Sequence, residues 1–283
     1  MSPILQLRGL SKSFGAVTVA DNLSYEIQAG EALGIIGPNG AGKTTTLKAI
    51  LGLTGFEGSL AVLGRDPRHG RHEIMKRVCF IADVGVLPRW LKVSDAINYV
   101  GGVHDRFNRD KAMALLAETD ISLNQRVKQL SKGMVTQLHL ALVMSIDVDL
   151  LVLDEPTLGL DILYRKSFYE RLLNDYFDKS TSIIISTHQV EEIESLLTHL
   201  LFITQGEIVL DSARDALAAT YTEVMVNPDH LEQAMSLNPI HSRDVIGKKS
   251  LIFADVSKAS LQEFGEVSTP SVTDLFVALL SRE

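Results

Sequence analysis

Apolar positions in the N-terminal part of the chain form short runs that are typical of β-strands. Three such segments, "ILQLRGLSKSFG", "NLSYEIQAGEALGIIG" and "GSLAVLGRD", are separated by turns that contain glycine, a residue that tolerates the tight backbone angles of turns. Between the second and third segments, "KTTTLKAILGLT" has apolar residues three and four positions apart, which is the spacing of one helix face. The pattern predicts an α/β start with an antiparallel β flank.

The pattern becomes helical from about residue 88 to residue 146. Apolar residues recur three and four positions apart in "VSDAINYV", "RDKAMALLAET" and "VTQLHLALVMSI", so each segment predicts an amphipathic helix. We therefore predict a helical insertion between two groups of strands.

Strands return after the insertion and alternate with helices. The apolar runs are "LLVLDE", "SIIIST" and "LLFITQGEIVL", and the segments "YRKSFYERLLNDYF" and "VEEIESLLT" between them have helical spacing. This alternation is typical of a parallel sheet that is covered on both faces.

The predicted domain boundary lies where this alternation ends. Residues 1–219 form the predicted core domain, and residues 220–283 contain shorter, less regular runs such as "TEVMVN", "PDHLEQAMSL" and "SLIFADV". We predict that these runs form a small C-terminal α+β appendage.

Composition narrows the class of protein. The 283 residues are 46% hydrophobic, which allows a sizeable core. The formal net charge of -8 argues against a nucleic-acid partner, because polyanion binding needs a basic surface. No apolar run reaches the roughly 18 residues of a membrane span, so we expect a cytoplasmic protein. The single cysteine, Cys79, lies in an apolar segment, and a buried structural thiol is favoured over a reactive one.

A phosphate-binding motif follows the second strand segment. Gly37, four residues, and then Gly42, Lys43 and Thr44 match G-x-x-x-x-G-K-[ST], and the motif lies between a predicted strand and a predicted helix as it should. Glycines let successive N–H groups converge on an anion, and the helix start and Lys43 add positive charge. The hydroxyl of Thr44 suits a Mg²⁺ ion on the phosphates. A glycine-rich turn with an exposed lysine is the weaker interpretation.

Two carboxylates follow the apolar run "LLVLDEPT". Asp154 and Glu155 would lie at the carboxyl edge of a central strand, where α/β proteins bind ligands. Asp154 can hold Mg²⁺, and Glu155 can act on the attacking water as a general base. Such a pair alone is more often a helix N-cap; beside a phosphate loop the catalytic interpretation is favoured.

Two further positions have a structural and a functional interpretation. Ser131, in "LSKGM", precedes a predicted helix, and taken alone it is an ordinary N-cap. His188 follows "SIIIST" at a strand end, where it could meet phosphates or be a structural histidine with its hydrogen bonds satisfied.

These motifs together resemble the ATP-binding cassette of ABC transporters. The order is phosphate loop, helical insertion, "LSKGM", "LLVLDEPTLGLD" and "STH", and the resemblance covers about residues 4–215. It implies an α/β fold with a P-loop NTPase core, and ATP and Mg²⁺ as ligands.

The resemblance also implies roles for individual residues. Those that would contact ATP are the adenine-stacking aromatic, the phosphate loop, the signature segment "LSKGM" and the D-loop, namely Phe14, Gly37, Pro38, Asn39, Gly40, Ala41, Gly42, Lys43, Thr44, Thr45, Ser131, Gly133 and Asp161. Those that would hold the metal are Thr44, Asp154 and Asp83. Those that would take part in hydrolysis are Glu155, the switch histidine His188, and Asp83.

The sequence departs from the family pattern in three places. Asp83 stands where a glutamine is usual, which adds negative charge beside the phosphates. Lys132 and Met134 replace the usual Gly and Gln of the signature, a variant associated with ABC-2-type exporters. Gln137 stands where an arginine is common, and nothing in the sequence explains it.

The resemblance implies an ATPase subunit that powers a transporter, with an exporter favoured. One copy of each motif implies a dimer, expected as a homodimer, in which two cassettes face each other head to tail. The partner would be an integral membrane permease subunit, so the chain would lie peripherally on the cytoplasmic face of the cell membrane.

Trp90 and Leu91 would line the groove for that partner, or else lie inside the helical insertion. The alternative function is a soluble ABC-type ATPase with a non-membrane partner.

Overall fold

A computed structural model describes residues 3–81, 87–157, 162–176, 181–245 and 247–280. In chain order, the strands are β1 (Leu5–Phe14), β2 (Val17–Ile27), β3 (Ala32–Ile36), β4 (Glu57–Val62), β5 (Val78–Ile81), β6 (Leu150–Asp154), β7 (Ser182–Thr187), β8 (His199–Thr204), β9 (Glu207–Ala213), β10 (Tyr221–Val226), β11 (His241–Val245), β12 (Lys248–Ala254) and β13 (Gly265–Ser268). The helices are α1 (Lys43–Ile50), α2 (Pro67–Met75), α3 (Val93–Val103), α4 (Arg109–Ala117), α5 (Lys132–Val143), α6 (Ile162–Tyr176), α7 (Arg214–Thr220), α8 (Leu231–Ser236), α9 (Lys258–Leu261) and α10 (Val272–Leu280).

A six-stranded sheet forms the centre of the fold. Its strand order is β5-β6-β7-β3-β8-β9, and all neighbouring strands are parallel except β8 and β9. Every residue of β3, β6 and β7 is buried, which is why these strands are continuous apolar runs in the sequence. The predicted α/β class is confirmed.

Successive residues of the central strands face two different cores. Leu33 and Ile35 point into a core shared with α1 and with the three-stranded antiparallel sheet β2-β1-β4. Ala32 and Ile36 point into a second core on the opposite face, which includes residues of α5, α6 and α10. The alternation of strand side chains therefore covers both faces of the sheet, and the predicted antiparallel flank is present.

The helical insertion has a core of its own. Val93 and Ile97 of α3, Leu116 of α4 and Leu138 of α5 are buried together. The predicted helical segments in this region are therefore α3, α4 and α5.

A third sheet, with the order β11-β12-β10-β13, begins directly after α7. Its core contains Val224, Leu251 and Phe253. The last helix, α10, returns to the central domain, where the ring of Phe276 packs edge-on against Phe202 at a centroid distance of 5.2 Å. The C-terminal region is thus attached to the central sheet through α10.

One predicted helix is wrong. "VEEIESLLT" forms two 3-10 turns, Val190–Glu192 and Glu194–Leu196, instead of an α-helix. The guanidinium of Arg214 donates to the backbone carbonyls of Glu194 and Ser195, and these tertiary bonds occupy acceptors that a helix would use.

The helices that the structure describes include none with both the length and the apolar character of a membrane span.

Candidate active site

The loop between β3 and α1 has room only for glycine at two of its motif positions. A Cβ atom at Gly37 would lie 2.3 Å from the carbonyl oxygen of Ile203. Gly42 has a φ of 103°, and a Cβ there would lie 2.1 Å from the carbonyl oxygen of Val19. Gly42 therefore supplies a left-handed residue immediately before α1, and this lets the loop curve as an anion-binding loop requires.

Lys43 is held inside this loop. Its side chain is only 6% exposed, and its Nζ donates to the carbonyls of Gly37 at 2.7 Å and Pro38 at 3.2 Å. Buried lysines need such partners, because an unpaired buried charge is costly. The ammonium is thus fixed beside the loop, where phosphate oxygens could replace the carbonyls as its acceptors.

The remaining positions of the phosphate loop and the first turn of α1 differ in their exposure to solvent. Pro38, Asn39 and Gly40 are exposed, Ala41 is buried, and Thr45 is half-buried on the first turn of α1. The exposed rim leaves the loop open to a ligand.

A carboxylate and two hydroxyls meet where β6 and β7 end. Asp154 and Ser186 are paired in register on these strands, and the Oγ of Ser186 donates to Asp154 Oδ1 at 2.5 Å. Thr44 Oγ1 donates to the same oxygen at 3.1 Å. Among the described residues no group of three His, Cys, Asp or Glu side chains could hold a metal. One carboxylate plus hydroxyls suits Mg²⁺, which keeps waters and phosphate oxygens as its other ligands.

Glu155 combines a strained backbone with an unsatisfied carboxylate oxygen. Its φ is +47°, a conformation that costs free energy for a residue other than glycine. Its Oε1 is buried and makes no hydrogen bond, and its ion-pair contact is Lys43 Nζ at 3.4 Å. A buried carboxylate oxygen that has an ion-pair contact but no hydrogen bond suits a group that accepts one from water during catalysis.

His188 contacts the other oxygen of Glu155. Its Nδ1 lies 3.0 Å from Glu155 Oε2, and its side chain is 34% exposed. The next residue, Gln189, is held by Arg165 of α6, which also bonds Glu192 at 2.8 Å. The histidine that the sequence placed at the end of β7 therefore lies beside the candidate base, and α6 fixes the turn that follows it.

The aromatic candidate Phe14 lies at the end of the β1–β2 hairpin. Its side chain is 56% exposed, and the Lys12 ammonium lies 4.8 Å from its ring centroid. The same hairpin approaches the phosphate loop, since Val19 limits the space at Gly42. A flat, exposed ring on that hairpin can stack on a nucleotide base.

The signature segment begins α5. Ser131 Oγ accepts a hydrogen bond from the N–H of Met134 at 3.2 Å, so Ser131 is the N-cap. Ser131 is exposed and Gly133 is half-buried, and within the described parts of the chain neither bonds the phosphate loop. The N-cap role is confirmed and leaves the helix start accessible from outside. Asp83 and Asp161 lie outside the described residues.

Two contacts at this edge were not predicted. In the sequence Ser186 is part of the apolar run "SIIIST". Its position two residues before His188 is the signal that could have placed it at the site. Tyr169 of α6 bonds the hydroxyl of Thr157 at 3.1 Å, and burial raises the pKa of Tyr169 above its ordinary value. The two contacts join residues 32 and 12 positions apart in the chain, respectively.

The parallel sheet, the glycine-restricted loop before α1 and the buried lysine define a P-loop NTPase. Residues 20–158 match the family model described as "ABC transporter". The chain is 36% identical over 226 residues to "Nod factor export ATP-binding protein I" of Burkholderia lata, covering 75% of this chain and 72% of that protein. It is 33% identical over 263 residues to the protein of the same name in Cupriavidus metallidurans, covering 89% and 86%.

A solved structure described as "Structure of ATP binding subunit of ABC transporter" supports the fold. It superposes with a TM-score of 0.70 at 24% identity, over 76% of this chain and 92% of that one. The chain belongs to the ABC transporter family, as an ATP-binding subunit whose ATPase activity is coupled to transport. The predicted resemblance and function are confirmed at this level.

Proposed function

We propose that this chain powers an exporter by ATP-driven, head-to-tail association of two copies, with Mg²⁺ at each site. The observation that carries the proposal is the start of α5, where Ser131 is exposed and Gly133 is half-buried and neither bonds the phosphate loop of its own chain, while Lys43 and Glu155 form an ion pair beside that loop. Two surfaces that must meet on one nucleotide, and that make no bond to each other within a chain, can meet when a second copy supplies one of them. The two relatives described above are named as export proteins, which favours export.

Each site residue has a stated task in this proposal. Lys43 and the loop N–H groups bind the phosphates, Phe14 stacks on the base, and Thr44 with Asp154 would hold Mg²⁺. Bound Mg²⁺ would neutralise charge on the phosphate oxygens. Glu155 orients and deprotonates the attacking water, and His188 holds Glu155 in place. The proposed roles of Asp83 in metal binding and hydrolysis and of Asp161 at the interface rest on the sequence alone.

The proposed membrane partner would bind in a groove beside the helical insertion. A cavity of about 600 Å³ opens beside the helical insertion, lined by Trp90, Leu91, Tyr99, Cys79 and His139 among others. Trp90 is 68% exposed, whereas Leu91 is half-buried against the core of the insertion, so of the two interpretations the groove is favoured for Trp90. Burial raises the pKa of Cys79 to about 12 and lowers the pKa of His139, so both groups remain neutral and suit an apolar segment of a permease subunit.

The proposal is tested by Glu155→Gln. This change keeps the size and hydrogen-bonding reach of the side chain but removes its basicity, so ATP hydrolysis should fall about a hundredfold or more. ATP should then remain between two copies, and light scattering after size exclusion should detect an ATP-dependent dimer that the parent chain forms only transiently.

A second variant tests the head-to-tail geometry. Glu155→Gln combined with Ser131→Arg should remain monomeric with ATP, because the arginine blocks the signature surface. A stable ATP-dependent dimer of the double variant, or a Glu155→Gln variant with near-normal turnover, contradicts the proposal. Recovery of an integral membrane protein with the tagged parent chain from detergent-solubilised host membranes supports the permease partner, and recovery of soluble proteins alone contradicts it.

A further inference from the structure

Two segments of the helical insertion carry cations and no acidic residue. Residues 87–94 contain Arg89 and Lys92, and residues 121–130 contain Arg126 and Lys128. We call these four side chains the basic rim. Asp95 directly follows the first segment and Asp120 directly precedes the second, so four cations lie against two flanking carboxylates, and on a chain with a net charge of -8 this is a local excess of positive charge.

The fold brings the two segments side by side. The N–H of Lys128 donates to the carbonyl of Arg89 at 2.9 Å, and the N–H of Val127 donates to Leu91 at 2.9 Å. Lys92 and Arg126 also form an antiparallel bridge. The backbones that carry the four cations therefore lie next to one another.

The cations of the basic rim form no ion pair with any carboxylate that the structure describes. Several other arginines on this chain pair with carboxylates, for example Arg77 with Asp149 at 2.8 Å and Arg106 with Asp147 at 2.7 Å. Within the described ranges no carboxylate lies within ion-pair distance of any rim cation. Arg89, Arg126 and Lys128 are exposed, and Lys92 is half-buried. Their charges are available to a partner.

The rim is continuous with the apolar groove. Trp90 and Leu91, which line the groove, lie between Arg89 and Lys92 along the chain. The guanidinium of Arg126 donates to the carbonyl of Trp90 at 2.6 Å, which holds a planar cation at the edge of the groove. A guanidinium in a fixed position suits carboxylate recognition.

We propose that the segment of the membrane subunit that enters this groove is flanked by Asp or Glu side chains, which pair with the basic rim. This inference rests on the proposed docking of a membrane subunit and names the chemistry of its docking segment. The apolar groove buries the centre of that segment, while the rim selects its charge and speeds association. A segment with basic flanks would be repelled, so the rim discriminates between permease subunits.

The experiment uses the complex purified in mild detergent from host membranes. A carbodiimide joins a lysine amine to a carboxylate only where the two touch, so it should link Lys92 or Lys128 to an Asp or Glu of the membrane subunit, as read by mass spectrometry. Arg89→Lys should add a link at position 89. An intact complex without any such link overturns the inference.

Charge reversal measures the contribution of the rim. Arg89→Glu with Lys128→Glu should lower the recovered membrane subunit at least tenfold at low salt, and Arg89→Gln with Lys128→Gln should give an intermediate loss. Arg8→Glu with Lys248→Glu is the matched control, since both side chains are exposed and lie outside the insertion; it should behave as the parent. Equal recovery from rim and control variants overturns the inference.

Two further outcomes separate the alternatives. If the parent chain alone floats with phosphatidylglycerol vesicles and the rim reversal does not, the rim binds lipid and the inference is overturned. If no membrane protein is recovered with the parent chain, the proposed function itself fails. A recovered subunit whose amount is insensitive to rim charge contradicts only the inference.

Discussion

The phosphate-loop edge of the sheet and the basic rim of the insertion differ in whether their charged side chains have partners on the same chain. At the sheet edge, Lys43, Asp154 and Glu155 lie within hydrogen-bond or ion-pair distance of groups on the same chain. At the rim, Arg89 and Lys128 are exposed and have no carboxylate within ion-pair distance among the described residues. The first surface is assembled before any ligand arrives, and the second is completed by a partner.

The difference follows from burial. Asp154 is 7% exposed and Lys43 is 6% exposed, and charges at that depth need partners because water cannot solvate them. Exposed charges have no such requirement, since water and salt screen them. The buried charges at the strand ends are therefore held in a fixed geometry, as catalysis requires. The exposed charges of the basic rim can attract a partner before contact.

The largest effect is expected at the buried lysine. Lys43→Ala should abolish ATP binding and lower the rate of ATP hydrolysis about a hundredfold or more, because it removes a preorganised, positively charged hydrogen-bond donor to the phosphates. Equilibrium dialysis with labelled ATP and a phosphate-release assay measure the two effects. Lys48→Ala is the matched control, because Lys48 lies on the same helix and is exposed. If both variants lost ATP binding and hydrolysis to the same extent, the proposed difference between the buried and the exposed lysine would be wrong.

A smaller effect is expected from the serine that supports Asp154. Ser186→Ala removes a donor to a buried carboxylate, so the free energy of unfolding should fall by about 1–3 kcal/mol. Asp154 should also be held less firmly, and the Mg²⁺ concentration needed for half-maximal ATPase activity should rise. Urea unfolding and a Mg²⁺ titration measure these changes. An unchanged Mg²⁺ requirement would show that Ser186 is only structural.

The smallest effect is expected at a pair of intermediate exposure, His199 and Asp211, whose side chains are 23% and 40% exposed. The hydrogen bond that His199 donates to the Asp211 carboxylate raises the pKa of His199 above its ordinary value of 6.5. A raised pKa means that the stabilisation is complete below about pH 6.5 and is lost as the pH rises through the folded-state pKa. Asp211→Asn should lower the free energy of unfolding by no more than about 1 kcal/mol.

The pH dependence provides the check on this pair. Urea unfolding of parent and Asp211→Asn at about pH 6 and about pH 8.5 should show the larger difference at the lower pH. A difference that does not change with pH would mean that Asp211 acts through packing and not through charge.

The elements that could be predicted are those whose signal is local. The buried strands β3, β6 and β7 are continuous apolar runs, and the phosphate loop is a fixed spacing of glycines and a lysine. Helix α2 was not predicted, because its segment has few apolar residues; it begins at Pro67, where Asp66 caps the N–H of Arg68 at 2.8 Å. The short strands β11 and β13 were also not predicted, since they are mostly exposed and depend on β12 and β10 for their pairing.

The sequence by itself determined the fold class, the identity of the phosphate-binding and acidic motifs, and their order, because each depends on residues close together in the chain. Tertiary structure alone decided that Ser186 supports Asp154 and that Arg165 holds the turn after His188. It also decided that the two segments of the basic rim lie next to each other at Trp90. These contacts join residues about 20 to 40 positions apart, and the packing of neighbouring strands and helices, which no local pattern encodes, sets their distances.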